Sequence, residues 1–192
     1  FIAADVKAMT ASATGVMFLM KDGTVRSATS AGNSGHPSTG DFTRVVDSTG
    51  APLAGITDLE YSYNTAFAYS ASTDKFYTWG TSNYLGNNSA VVANTVAVEM
   101  ANPFASAAGV KAVQIGVSEN TYFVLGSDSK VYVLGSNRSG SAGQNSTTAV
   151  LSWTTMRDTT GVAGTSLNDV QFISAQNSTA GSYGGGINML LK

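Results

Sequence analysis

One pattern recurs four times along this 192-residue chain. A chain assembled from copies of a small unit buries its apolar faces by stacking those copies side by side. The segments Asp5-Val-Lys-Ala-Met9, Gly55-Ile-Thr-Asp-Leu59, Gly109-Val-Lys-Ala-Val113 and Asp169-Val-Gln-Phe-Ile173 open the units. Their first apolar residues, Val6, Ile56, Val110 and Val170, stand 50, 54 and 60 residues apart. A second apolar run follows each: Val16 to Met20, Ala66 to Tyr69, Tyr122 to Leu125 and Ile187 to Leu191. In the first three units a polar turn comes next, built around Asp22-Gly23, Asp74 and Asp128. A third run then begins at Val25, Phe76 and Val131.

The runs are short and rich in β-branched and aromatic residues, and the turns between them carry Asp-Gly or Asp-Ser, so the units are expected to be hairpins rather than helices. No window sustains a 3.6-residue stripe. Ala90 to Ala101 is Ala-rich, but Val91, Val92, Val96 and Val98 favour extended chain there as well. Antiparallel units of about 50 residues, each too small to bury its own face, predict an all-β fold of β-propeller blades. The blades fall at 5–54, 55–108 and 109–168, with a partial one at 169–192. They form a single repeat domain over 1–192 and an incomplete ring of about three and a half blades.

Two stretches carry a resemblance. The run Phe76-Tyr-Thr-Trp79-Gly80-Thr-Ser-Asn83-Tyr-Leu-Gly86 and its counterpart Val131-Tyr-Val-Leu134-Gly135-Ser-Asn137-Arg-Ser-Gly140 resemble the repeat signature of the regulator of chromosome condensation family. Val110 to Gly116 resembles that family's opening strand. The first unit keeps Lys21-Asp22-Gly23-Thr24-Val25 but has Ser-Ala-Thr-Ser where Trp-Gly would stand, and the fourth stops after its second run. The resemblance implies four-stranded blades, with Asp22, Gly23, Asp74, Trp79, Gly80, Asn83, Gly86, Asp128, Gly135, Asn137 and Gly140 as repeat residues of structural purpose. The glycines are expected where the backbone needs positive φ or close approach, and Trp79 in packing between blades. Rings of the family usually have seven blades. Three and a half would leave open edges, so neighbouring blades of a longer chain, or self-association, are expected to close the ring. The first residue, Phe1, likewise suggests a processed chain or part of something longer.

Chemistry is scarce. Only 11% of residues are charged, against about a quarter in ordinary soluble domains, so the polar surface must come from Ser, Thr, Asn and Gly. Ten Lys and Arg are scattered singly against twelve Asp and Glu, which leaves no patch for a run of phosphates and argues against nucleic acid. The longest clearly apolar stretch, Val16 to Met20, is far below the roughly 20 residues of a membrane helix, so no membrane insertion is expected. Cysteine is absent, which removes disulfides and thiolate metal sites. His36, the one histidine, sits in a Gly-His-Pro loop and cannot assemble the usual multi-histidine metal set. Asp22, Asp74 and Asp128 are expected to bond amides within equivalent turns, and Asp5 and Asp169 to do so before the first run. Asp58, Glu60, Glu99, Glu119 and Asp158 remain, with no spacing that pairs them for glycoside chemistry. Gly184 to Gly186 lacks the Lys and Ser/Thr of a phosphate loop. Sequons occur at Asn87, Asn137, Asn145 and Asn177. No catalytic, cofactor-binding or metal-binding residue is expected.

The expected function is that of a non-catalytic extracellular structural or adhesive repeat module, such as part of a bacterial surface protein or a viral tail or head fibre. It would bind a protein or a cell-surface glycan through the loops at 32–42, 83–89 and 137–148. His36, Asn83, Tyr84, Asn137 and Arg138 are the binding-loop candidates, and the setting is extracellular, cell-surface or virion. A second expectation follows from the resemblance: a protein-binding regulator, acting as an enzyme inhibitor or as an exchange factor for a small GTPase. A third is a glycan-acting propeller enzyme, which would need carboxylates gathered at the ring centre.

Overall fold

The computed structural model describes residues 2–29, 32–37, 42–81, 94–118, 120–158, 160, 162–176 and 187–191. Three four-stranded antiparallel sheets follow one another along the chain, and a two-stranded sheet comes last. Blade 1 consists of β1 (Val6–Ser12), β2 (Gly15–Met20), β3 (Val25–Thr29) and β4 (Thr43–Arg44). Blade 2 holds β5 (Asp58–Ser62), β6 (Thr65–Ser70), β7 (Lys75–Gly80) and β8 (Asn94–Met100). Blade 3 holds β9 (Ala112–Ser118), β10 (Thr121–Gly126), β11 (Val131–Gly135) and β12 (Val150–Thr155), and blade 4 holds β13 (Phe172–Gln176) and β14 (Ile187–Leu191). Each sheet is a meander in which sequence neighbours are spatial neighbours. The first strands of successive blades also touch, β1 on β5, β5 on β9 and β9 on β13, which fans the sheets out as propeller blades around those inner strands.

The apolar runs become strands because each is pressed on both faces. In β6 (TAFAYS) and β10 (TYFVLG) every residue is buried, so a continuous apolar run replaces the alternation of a half-exposed strand. Side chains of alternating direction feed two different cores. Met17 and Leu19 of blade 1 meet Tyr61, Ala66, Ala68 and Trp79 of blade 2. Phe67 and Phe76 on the opposite side of blade 2 meet Ile115, Tyr122, Val124 and Leu134 of blade 3. Phe123, Leu125, Val131 and Val133 of blade 3 meet Ile173 of blade 4. The Phe67 ring stands edge-on to Tyr122 at 5.0 Å, and the Tyr122 hydroxyl reaches Thr78 Oγ1 at 2.7 Å, so the second seam is fixed by direction as well as by area.

Two turn expectations are corrected. Asp22 and Asp128 do hold their turns, accepting from the Thr24 and Lys130 amides. Asp74 is offset by one residue: it occupies the left-handed position taken by Gly23 and Ser129, with φ of 56° beside their 78° and 60°. Its carboxylate therefore points away from its own turn, accepting from Tyr69 Oη, Lys111 Nζ and Asn102 Nδ2. Asp5 and Asp169 also differ. Asp5 lies in a short 3-10 turn (Ala3–Asp5), whereas Asp169 has φ of 62°, matching Gly55 and Gly109 before the other blades. The expected strand within 90–101 forms as β8, with 90–93 outside the described residues.

Candidate binding face

An antiparallel meander sends its connections alternately to the two ends of a blade. The tight β2–β3, β6–β7 and β10–β11 turns, with Asp22, Asp74 and Asp128, gather at one end. The short β1–β2 turns and the connections that follow β3, β7 and β11 lie at the other, while the connections from one blade to the next return at the turn end. The described parts of the loops singled out from the sequence, 32–37 with 42 and 137–148, share one end of the molecule, and 38–41 and 82–93, with Asn83, Tyr84 and Gly86, lie outside the described residues.

The described loop residues divide into props and exposed groups. Asn137 is fully buried in the left-handed conformation (φ 49°), and its side chain is committed to the backbone. Nδ2 donates to the Ser146 and Thr148 carbonyls at 2.8 Å each, and Oδ1 accepts from the Ala142 amide. A buried amide so satisfied moulds the 136–149 loop, and nothing can attach to it; of the described sequons only Asn145 is exposed. Arg138, in the following 3-10 turn (Arg138–Gly140), is exposed. His36 is half-buried rather than solvent-facing, tied to Ser34 through its main chain. Gly140 has φ of 74°. Trp79 is fully buried between blades 1 and 2, and its indole nitrogen has no hydrogen-bond partner among the described residues.

Two contributors were not read from the sequence. Asn33 reaches from the blade 1 loop across to blade 2, accepting from the Thr81 amide (2.9 Å) and hydroxyl (2.8 Å) and donating to Asn64 Oδ1 (2.8 Å). The surrounding Gly-Asn-Ser-Gly run signals a turn, but its partner lies 48 residues away and only the stacking of blades brings it near. Further polar links at this end join Ser12 and Thr14 to Tyr63, and Thr65 to Asn120. The loop end is thereby a braced platform.

The second is Glu60 on inner strand β5. By pairing register it stands where Thr10 stands in blade 1, opposite Phe67 as Thr10 is opposite Met17, while Gln114 stands where Asp58 does; Thr10 and Gln114 both bond the main chain of the next blade through their side chains. Thr10 Oγ1 accepts from the Tyr61 amide at 3.2 Å, while Gln114 both accepts from the Ile173 amide (2.9 Å) and donates to its carbonyl (2.6 Å). Burial, with the charge of Asp58 adding, pushes the Glu60 carboxyl up to about 7. Asp58 and Glu60 alternate onto one side of β5, which spacing alone did not reveal. Asp47 and Asp158 accept amides within their own turns, like Asp22. Hydrogen bonds from Thr24 and Thr49 hold the Asp22 and Asp47 carboxyls below the usual range. Among the described residues no group of three His, Asp or Glu could hold a metal ion.

No family model matches the chain, and no curated protein matches it. Solved structures do. Yeast RCC1 (Prp20), in its crystal structure bound to Kap60, is similar with a TM-score of 0.66 at 15% identity, over 90% of this chain and 40% of that one. Prp20p from Saccharomyces cerevisiae, described with its binding properties to Gsp1p and histones, is similar with a TM-score of 0.58 at 13% identity, over 81% of this chain and 39% of that one. The chain thus has the fold of an RCC1-type β-propeller, in agreement with the repeat residues. It spans about 40% of the length of these structures.

Proposed function

We propose that this chain is part of a protein-binding propeller that holds its partner at the loop end without carrying out chemistry on it. One observation carries the reading: at the end opposite the tight acidic turns, hydrogen bonds from Asn33 to Thr81 and Asn64, from Ser12 to Tyr63 and from Thr65 to Asn120 brace the connections of neighbouring blades into one platform. Variable loops on a rigid scaffold are the usual place for recognition. The two similar structures support it from outside, one being bound to Kap60 and the other described with binding to Gsp1p and histones. Because the chain spans about 40% of those proteins, an exchange or inhibitory activity would belong to a longer assembly than these blades.

A narrower reading, an adhesive or structural module outside the cell, is favoured by the 11% charge and the Ser, Thr, Asn and Gly surface. Its ligand would be a protein or a cell-surface glycan met by the same loops. Capture experiments with the tagged chain separate the ends. Arg138→Glu with Asn145→Asp at the loop end is expected to abolish retention of the partner, whereas Lys21→Glu with Thr73→Lys at the turn end leaves it intact. Loss of retention from the turn-end pair alone would contradict the assignment. A glycan array that retains the chain through the same loop residues would shift the ligand class to carbohydrate, and recovery of the native protein only from cytosol would remove the extracellular reading.

A further inference from the structure

We propose that the outer face of blade 1 docks the far face of blade 4 of a second copy, joining chains head to tail. The two seams between complete blades use the same register positions. Blade 2 presents Leu59, Tyr61, Ala66, Ala68 and Trp79 to blade 1, and blade 3 presents Ile115, Tyr122, Val124 and Leu134 to blade 2. In blade 1 those positions are Met9, Ala11, Val16, Phe18 and Ala28, an apolar set that belongs to none of the three cores of the described residues. Met9 is 65% exposed and Ala11 is exposed. At the turn end of this face a pocket of about 480 Å³ opens between Ile2, Asp5, Met20 and Arg26. The face therefore repeats, position for position, a surface that these blades already use on each other, which points to another such blade as its occupant.

Blade 4 carries the matching side. Ile173 is in the core against blade 3 and Ala175 packs on it, so alternation turns Phe172 and Ser174 the other way. Phe172 is 47% exposed. Ser174 occupies the register position of Thr10, whose side chain bonds the main chain of the following blade. In a second copy the following inner strand is β1, where Ala11 stands at the position of Tyr61. The Ser174 hydroxyl would there accept from the Ala11 amide, as Thr10 accepts from Tyr61. The two faces differ, so the joint is heterologous and each copy offers one of each kind.

Light scattering on size-exclusion chromatography tests this. The wild-type chain is expected to assemble beyond its 19.7 kDa monomer. Met9→Glu with Ala11→Lys blocks one face and Phe172→Glu the other; each variant alone is expected to run as a monomer with an unchanged near-UV spectrum. Mixed in equal amounts they should recover a dimer, since each retains the face that the other lacks. Should a variant lose its fold, Ala11→Arg or Ser174→Arg replaces it. A wild-type monomer at its highest soluble concentration, variants that still assemble, or a mixture that stays monomeric would each overturn the proposal.

Discussion

Gly80 and Gly135 end the third strands of blades 2 and 3, and neither tolerates a side chain. A Cβ at Gly80 would lie 1.9 Å from the Asn64 carbonyl oxygen, and one at Gly135 would lie 2.0 Å from that of Asn120, with φ of 128° and 136°. Their cross-strand partners are Thr65 and Thr121. In blade 1 the pair is reversed: Gly15 faces Thr29, and it is Gly15, at φ 145°, whose Cβ would strike the Ala28 carbonyl. Blade 1 therefore keeps the close approach while losing the Trp-Gly signature, having moved its glycine to the other strand. The motif made Gly80 and Gly135 legible; the exchange in blade 1 was hidden, because pairing register rather than motif defines it. Gly135→Ala is expected to cost about 3 kcal/mol or more in urea unfolding, from strain and steric displacement together. Asn137→Ala removes one buried amide's three bonds and is expected to cost about 3 kcal/mol, while exposed Asn145→Ala stays within about 0.5 kcal/mol.

Strands and hairpins were readable because their signals are local: β-branched runs, Asp turns and fixed repeat length. What one strand does to the next blade was not, since it depends on which side chains the stacking turns inward. Thr10 and Glu60 share a register, yet only Thr10 bonds the next blade's amide as a group that stays neutral at every pH. Glu60 favours its protonated form because ionisation would leave a charge buried beside Asp58. Its folded pKa of about 7 lies above the ordinary 4.5 of a glutamate, so its favourable contribution is complete below about 4.5 and is lost as pH rises towards 7. Stability measured by denaturant titration is expected to fall across that interval and to level off above it. Glu60→Gln should flatten the fall and stabilise the chain at pH 8 by on the order of 2 kcal/mol, with little effect at pH 4. An unchanged pH profile in the variant would place the titrating group elsewhere.

At the scale of the whole molecule the low charge acquires a structural reason. Four of the Asp residues cap their own turns, Asp74 is clasped by Lys111 from the next blade at 2.8 Å, and the loop end is braced by hydroxyls and amides instead of ions. The site reading from sequence could not separate props from exposed groups: Asn137 and Arg138 are adjacent, one fully buried and the other exposed. The central claim is that polar side chains of the inner strands tie each blade to the main chain of the next. Amide hydrogen exchange on Gln114→Ala tests it most directly. Protection is expected to fall at Ile173 and along β13 while β10 and β11 keep theirs, because Gln114 holds the seam to blade 4 and takes no part in the interior of blade 3. Exchange unchanged at Ile173, or lost uniformly across the chain, would contradict the account.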